Sequence, residues 1–551
     1  MFSCAADRHL TRCKAVVILT VATIALLIPF VNKAFNIDDP LFLWIAQQIH
    51  SHPFDPYGFK VNWYDSEASM DRIMQNPPLA SYYMALIARM FGWGEVVMHV
   101  SFLLVAILVV VGTYFVADRV CKNPLWAGVI TLTMPVFLIS STTVMCDIMM
   151  LALWVWAVEF WLKGMQRGGY ASYILSSLLM AACVLTKYYG ISLILLLSAY
   201  TVIKKRGLGL WAAYFLLPIA SLLIYQHRTV QLYGHNLLLD SCRYATIAFN
   251  INNMITNGFN GLCFTGGCLF GLAFFLPFLW SRKALAMNAI LYAAFLLLFY
   301  FVKQEPFFLY GNFSLTYLQK AQYVLFVMMG IHVVLLAVAG VRERIDPESI
   351  LLFLWICGAI VFSSFINWTI NGRSILPALP AVAIMAVRRI EMRAFSLRRR
   401  RFLCVAVIPA ALLSLLVTYA DFRFAQSARE AASRISEKYG GTSANVYFQG
   451  HWGFQYYMQL KGYKPVDRRR RDLKVGYLVV VPENNDCMFF SRYEKIELQE
   501  TLDFAVCKWV STMNHAAAAG FYANLGGPLP FSIGPVHREN YYIVKITDIT
   551  Q

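Results

Sequence analysis

The feature that most constrains this chain is a succession of apolar runs, each roughly 17–25 residues long. That is the length at which a helix rising 1.5 Å per residue crosses about 30 Å of hydrocarbon. Barrel strands are excluded, because they would alternate apolar and polar residues in segments of about ten. About thirteen runs meet the length criterion, over residues 14–34, 95–117, 124–141, 145–163, 170–186, 188–203, 208–226, 258–280, 284–302, 317–340, 349–366, 374–390 and 402–420. Of the 551 residues 59% are hydrophobic and 14% charged, which excludes an ordinary soluble protein. The expected fold class is an all-α polytopic membrane domain over residues 1–420, followed by a small soluble α/β domain over 421–551.

The formal charge of +17 does not indicate nucleic acid, because the basic residues concentrate in short loops on one side. These hold Lys122, Lys163 with Arg167, Lys204-Lys205-Arg206, Arg282-Lys283, Arg342 with Arg344, and the run from Arg388 to Arg401. The positive-inside rule puts them in the cytoplasm, along with Arg8, Arg12 and Lys14 ahead of the first run. That run is long and has no small-residue cleavage site, so an uncleaved first span is expected. An odd number of spans leaves the tail outside.

The outer face then carries the large loops. The first, residues 35–93, holds two amphipathic patterns, Pro40–Ile49 and Pro78–Phe91, too short to cross and expected to lie in the interface. In the tail, short β-branched runs at 445–448, 476–481 and 541–546 read as strands. The pieces 427–439 and 454–460 read as helical.

Several polar residues fall at the outer ends of spans. Asp38 and Asp39 follow the first; Asp147 opens the fourth; Lys187 breaks Leu185-Thr186-Lys187-Tyr188-Tyr189-Gly190; Arg373 precedes the twelfth. Acids beside cations on one membrane face suit an anionic lipid headgroup and a sugar, with cations for phosphate and carboxylates for protons or hydroxyls. Each also has a plain structural reading. Asp39, ahead of Pro40, and Asp147 could cap helices, and Lys187 and Arg373 could be snorkelling anchors.

Elsewhere, His50-x-His52-x-x-Asp55, His227 and His235 match no recognised zinc spacing, so no metal is expected. Trp93, Trp126 and Trp368 suit interface anchors. Gly450-His451-Trp452-Gly453 suits a sugar-facing loop or, more plainly, a turn before a helix. Asn312-Phe313-Ser314 and Asn367-Trp368-Thr369 are sequons, and Cys487 and Cys507 are two external thiols that an oxidising compartment would permit to pair.

Taken in order, the acidic pair after the first span, Asn76-Pro77-Pro78-Leu79, Asp147, and Arg373 followed by Pro377-Ala378-Leu379-Pro380 resemble the class C glycosyltransferases. Within that class the chain is similar to the group of protein O-mannosyltransferases, lipid A aminoarabinose transferases and lipopolysaccharide-core glycosyltransferases. The resemblance implies a membrane enzyme of the bacterial inner membrane that moves a sugar from a polyprenyl-phosphate carrier to an external lipid, glycan or protein acceptor with inversion, needing no cofactor. It places Asp38 and Asp39 as catalytic acids and Asp147 as the second acidic position. Some relatives carry a lysine where this chain has Asn76. Phosphate binding would then fall to Lys187, Arg243 or Arg373.

Two other classes share parts of this pattern. A secondary transporter or flippase also has many spans, but binds at the midplane and is commonly built of repeats, and no repeat is visible here. A glycan ligase using a diphosphate-linked donor would favour a long arginine-rich external loop, and the loop at Arg373 is short.

Overall fold

The computed structural model describes residues 2–207, 209–247, 250–301, 315–393, 397–440, 445–470, 473–485 and 494–549. Among these, seven helices are long and apolar enough to cross a membrane: Arg12–Phe30, Glu95–Val120, Cys146–Arg167, Leu210–Tyr233, Tyr317–Glu343, Pro347–Ile366 and Leu403–Tyr439. Ile251–Cys268 and Phe270–Leu279 make an eighth if the pair, bent by 69°, is one span. The protein is an integral membrane protein.

The expected run 284–302 falls on one helix of 20 residues, Arg282–Phe301, and several others are shorter or divided. Residues 124–141 split into Leu125–Leu132 and Pro135–Ser141, because Pro135 has no N–H and its fixed φ suits the first turn of a new helix. The break after Thr186 depends on Gly190, where an added Cβ would sit 2.9 Å from the Cys183 backbone, so the chain turns tightly there and presents Lys187 at a helix end.

The last helix is longer than its apolar run. Leu397–Tyr439 is continuous across residue 420 and takes in the amphipathic piece at 427–439. Its tail-side stripe, Ala425, Ala428, Ala432 and Ile435, is buried at helical spacing.

In the first external loop, helices form at Asp39–Ser51 and Leu79–Phe91, as the amphipathic patterns predict. The Ser81 hydroxyl donates to the Phe42 carbonyl at 3.0 Å and ties one to the other. Between them lies an antiparallel hairpin, Lys60–Asn62 with Glu67–Ser69, which the sequence pattern did not indicate.

The tail holds a five-stranded sheet. Val446–Phe448 pairs in parallel with Lys464–Pro465 on one side and Leu478–Pro482 on the other, and Trp452–Leu460 supplies a helical crossover. Glu539–Ile549 then pairs antiparallel with both Leu478–Pro482 and Glu494–Phe504. Glu494–Phe504 escaped the sequence reading because its alternation of charged and apolar residues leaves most of it exposed.

The sheet unit is docked on the membrane helices' outer face. The Tyr457 hydroxyl accepts the Phe35 N–H at 2.8 Å, and the Gln426 amide donates to the Asn32 carbonyl at 2.8 Å. A second clamp grips residues 369–372. There Asn524 Oδ1 accepts from Thr369 and from the Ile370 N–H, and the Gly372 N–H donates to the Phe521 carbonyl at 2.7 Å. An added Cβ at Gly372 would lie 2.5 Å from the Phe521 ring, so this approach needs glycine.

Candidate active site

The clamp matters because Arg373 follows it. The Asn371 side chain accepts the Ser374 N–H at 2.9 Å, capping the short turn Gly372–Ile375 and fixing where Arg373 leaves the backbone. Its guanidinium donates to Asp38 Oδ2 at 2.9 Å and lies 3.9 Å from Asp147 Oδ2. Lys187 Nζ donates to the other oxygen, Asp147 Oδ1, at 2.6 Å. Four charges from four distant segments thus form one line, Asp38, Arg373, Asp147, Lys187.

The line runs along a cavity of about 210 Å³ whose lining also includes Asn76, Tyr64, Tyr244 and Trp368. Asp38 and Arg373 are 28% and 19% exposed at their side chains, whereas Asp147 is 2% exposed. Its Oδ2 is buried without a hydrogen-bond partner.

The capping readings can now be separated from the functional ones. Asp38 occupies the N-cap position of Asp39–Ser51 and Asp147 the first turn of Cys146–Arg167, yet neither caps its helix through the side chain. Both are turned to cations instead. Ile37, buried and at φ +50°, is a β-branched residue in the left-handed region. This strained turn immediately precedes Asp38.

Asp39 is placed away from the cavity. It is fully buried, one oxygen accepting the Asn36 N–H and the other the Val144 N–H, each at 2.9 Å. Burial pushes its carboxyl up to about 7, against the lowering effect of those N–H groups and of Lys33. Arg243 is also elsewhere: it is 80% exposed and pairs with Asp240. Its helix, Leu237–Thr246, lines the cavity through Ser241 and Tyr244 on another face.

The histidines do not gather. The His52 ring contacts Ser51, the Asp55 carboxylate accepts from Tyr233, and His227 contacts Gln231. His235 bridges Asp71 and Asp240. Among the described residues no group of three or more His, Cys, Asp or Glu is arranged to hold a metal ion. Asn312 and Cys487 lie outside the described residues. Asn367, in the other sequon, lines the cavity, and its amide donates to Thr369 and Ser374.

Three features escaped the sequence reading. The Tyr64 and Tyr244 hydroxyls are hydrogen-bonded to each other, and burial holds both protonated. His451 packs against Trp63 at 5.1 Å between centroids with the rings tilted by 52°, and burial lowers its pKa to about 4, keeping the ring neutral. Behind the cavity, Lys33 and Asp421 form an ion pair with both side chains fully buried. Lys33 also reaches Thr142, and Asp421 accepts from Thr512 at 2.8 Å and Tyr522 at 2.9 Å. The Tyr522 ring in turn lies 6.0 Å from the Arg373 guanidinium. The signal was available: a lone lysine and a lone acid, opposite in sign, at the outer ends of the first and last spans.

Comparison with known proteins bears on this arrangement. Residues 75–230 match the family model for dolichyl-phosphate-mannose-protein mannosyltransferase. The resemblance to class C glycosyltransferases is borne out. The matched segment includes Asn76, Asp147 and Lys187; Asp38, Asp39, Arg243 and Arg373 lie outside it. Among solved structures, ArnT from Cupriavidus metallidurans bound to undecaprenyl phosphate is 14% identical, with a TM-score of 0.43, covering 85% of this chain and 92% of its own. The same protein in the apo state is 15% identical, with a TM-score of 0.39, covering 87% of this chain and 93% of its own. No curated protein matches the chain.

Proposed function

We propose that this protein is a membrane glycosyltransferase that moves a sugar from a polyprenyl-phosphate carrier to an external acceptor, with Asp38 as general base. The observation that carries the reading is the line of Asp38, Arg373, Asp147 and Lys187 along one cavity, with both acids committed to cations and not to helix caps. The family match over 75–230 supports it.

The roles follow from the geometry. A carrier phosphate in the cavity meets Arg373 and Lys187, the two cations that line it. It competes with Asp38 for the guanidinium and leaves the carboxylate free. Asp38 then takes the proton of the acceptor hydroxyl as its oxygen bonds to the anomeric carbon, an effect worth roughly 10²–10⁴-fold. The bond from that carbon to the phosphate oxygen breaks in the same displacement, inverting the centre and releasing the carrier as a phosphate monoester. Arg373 and Lys187 stabilise the charge arriving on the leaving phosphate. Asp147 holds both cations in place, and Asp39 fixes the turn that aims Asp38. Asn76 lines the cavity as a neutral group, and Arg243 takes no part.

In this reading the cavity faces the periplasm, the amino terminus is cytoplasmic, and the sheet unit is a periplasmic domain. The test incubates the purified full chain with a panel of polyprenyl-phosphate sugars, with and without an added oligosaccharide acceptor, and follows free polyprenyl phosphate, the sugar passing to the acceptor hydroxyl or to water. Release from at least one donor is expected. If no donor is cleaved, while a carrier-linked sugar crosses the bilayer of reconstituted vesicles intact, the protein is a flippase and the transferase reading fails.

A further inference from the structure

The catalytic cavity, at about 210 Å³, is smaller than the roughly 300–1,000 Å³ of sites that enclose a small ligand. It has room for the reacting centre and little of an acceptor beyond it. A second cavity, of about 580 Å³, adjoins it on the outer face, between the first external loop and the sheet unit.

One short strand divides the two. Phe59, Lys60, Val61 and Asn62 line the second cavity, and the next two residues, Trp63 and Tyr64, line the first. Trp44, in the second, meets the edge of Trp63 at 6.1 Å between centroids.

The second cavity presents Trp44 and Tyr447 beside the amides of Gln47 and Gln459. Apolar ring surface next to groups that both donate and accept suits hydroxyl-rich pyranose rings. Its charge is unbalanced. Its three cations, Lys60, Lys464 and Arg470, outnumber its two acids, Glu67 and Asp467, and Arg470 is the partner of both acids, at 2.5 Å and 3.7 Å. Lys60 and Lys464 are exposed and form no ion pair among the described residues. An extended peptide fits less well, because the sheet edge here is only Lys464–Pro465, and proline offers no N–H to pair.

We propose that this second cavity is an acceptor subsite for an acidic oligosaccharide, one bearing carboxylate or phosphate groups. The proposal rests on the transferase reading for its link to catalysis, but binding is measurable without turnover. The full chain in detergent is titrated with three probes, pentagalacturonate, mannopentaose and an Asp-rich peptide, and the same titrations are repeated with the Lys60→Glu/Lys464→Glu double variant.

Pentagalacturonate should bind the wild type at least 10-fold more tightly than either other probe, and the double variant should lose that preference. Polyprenyl phosphate release with water as the acceptor should be unchanged in the variant, since neither lysine lines the catalytic cavity. Absence of oligosaccharide binding, unaltered binding in the variant, or tighter binding of the peptide would each overturn the proposal. Absent donor cleavage with intact oligosaccharide binding would overturn the transferase reading alone.

Discussion

Two charged clusters lie a few residues apart on the outer side of this protein, and they are built to opposite ends. Lys33 and Asp421 are sealed: both are fully buried, and each oxygen of Asp421 accepts from a hydroxyl of the sheet unit. The line Asp38, Arg373, Asp147, Lys187 is open to a cavity, and one oxygen of Asp147 is buried without a hydrogen-bond partner. A saturated network has nothing left to offer a ligand and holds elements together. An under-satisfied one beside empty space can exchange its partners for a substrate's. The same residue types therefore serve structure in one place and chemistry in the other.

This contrast can be broken by substitution. The largest effect is expected at Asp38: Asp38→Asn should cut the single-turnover rate by roughly 10²–10⁴-fold with little change in melting temperature. Next is Asp421→Ala, which strands a buried ammonium and should cost about 3–5 kcal/mol in denaturant unfolding, whereas the apolar pair Lys33→Met/Asp421→Leu should recover much of it. Arg373→Lys keeps charge but loses the planar fork. One lost charge-assisted hydrogen bond, worth about 1.5–3 kcal/mol, should weaken donor use by roughly 10- to 100-fold with the fold intact.

A smaller effect sharpens the comparison through pH. Asp39 has a folded-state pKa raised to about 7 by burial, so in the folded state it holds a proton that the unfolded chain releases near 3.8. Stability from this group is therefore present in acid and declines as pH rises from about 4 to about 7. Asp39→Asn should flatten that part of a melting-temperature profile. The smallest effect is predicted for Arg243→Ala, within about twofold of wild type in donor use, because an exposed pair such as Arg243 with Asp240 contributes little.

Much of this was legible in the sequence, for identifiable reasons. Apolar length gave the long helices, and short β-branched runs gave the strands at 446–448 and 478–482. The position of charges at span ends found Asp38, Asp147, Lys187 and Arg373 before any contact was known. What stayed hidden depended on long-range placement. Adjacency made Asp38 and Asp39 look equivalent, and only their contacts separate them, Asp38 meeting Arg373 and Asp39 the Asn36 and Val144 N–H groups. Arg243 shared the outer face but points away from the cavity, which spacing within a ten-residue helix did not reveal. The clamp of 521–524 on 369–372 joins segments about 150 residues apart and has no local signature. The split within 124–141 was blurred because Pro135 sits inside apolar surroundings that hydropathy alone averages over.

The most direct measurement pairs two isosteric variants, Asp38→Asn and Asp421→Asn, and records for each both the melting temperature and the single-turnover release of polyprenyl phosphate per folded molecule. The account predicts that Asp38→Asn loses at least 100-fold in rate and keeps its melting temperature, while Asp421→Asn melts earlier and retains a rate within a few-fold of wild type. An Asp38→Asn protein that turns over at the wild-type rate would contradict it.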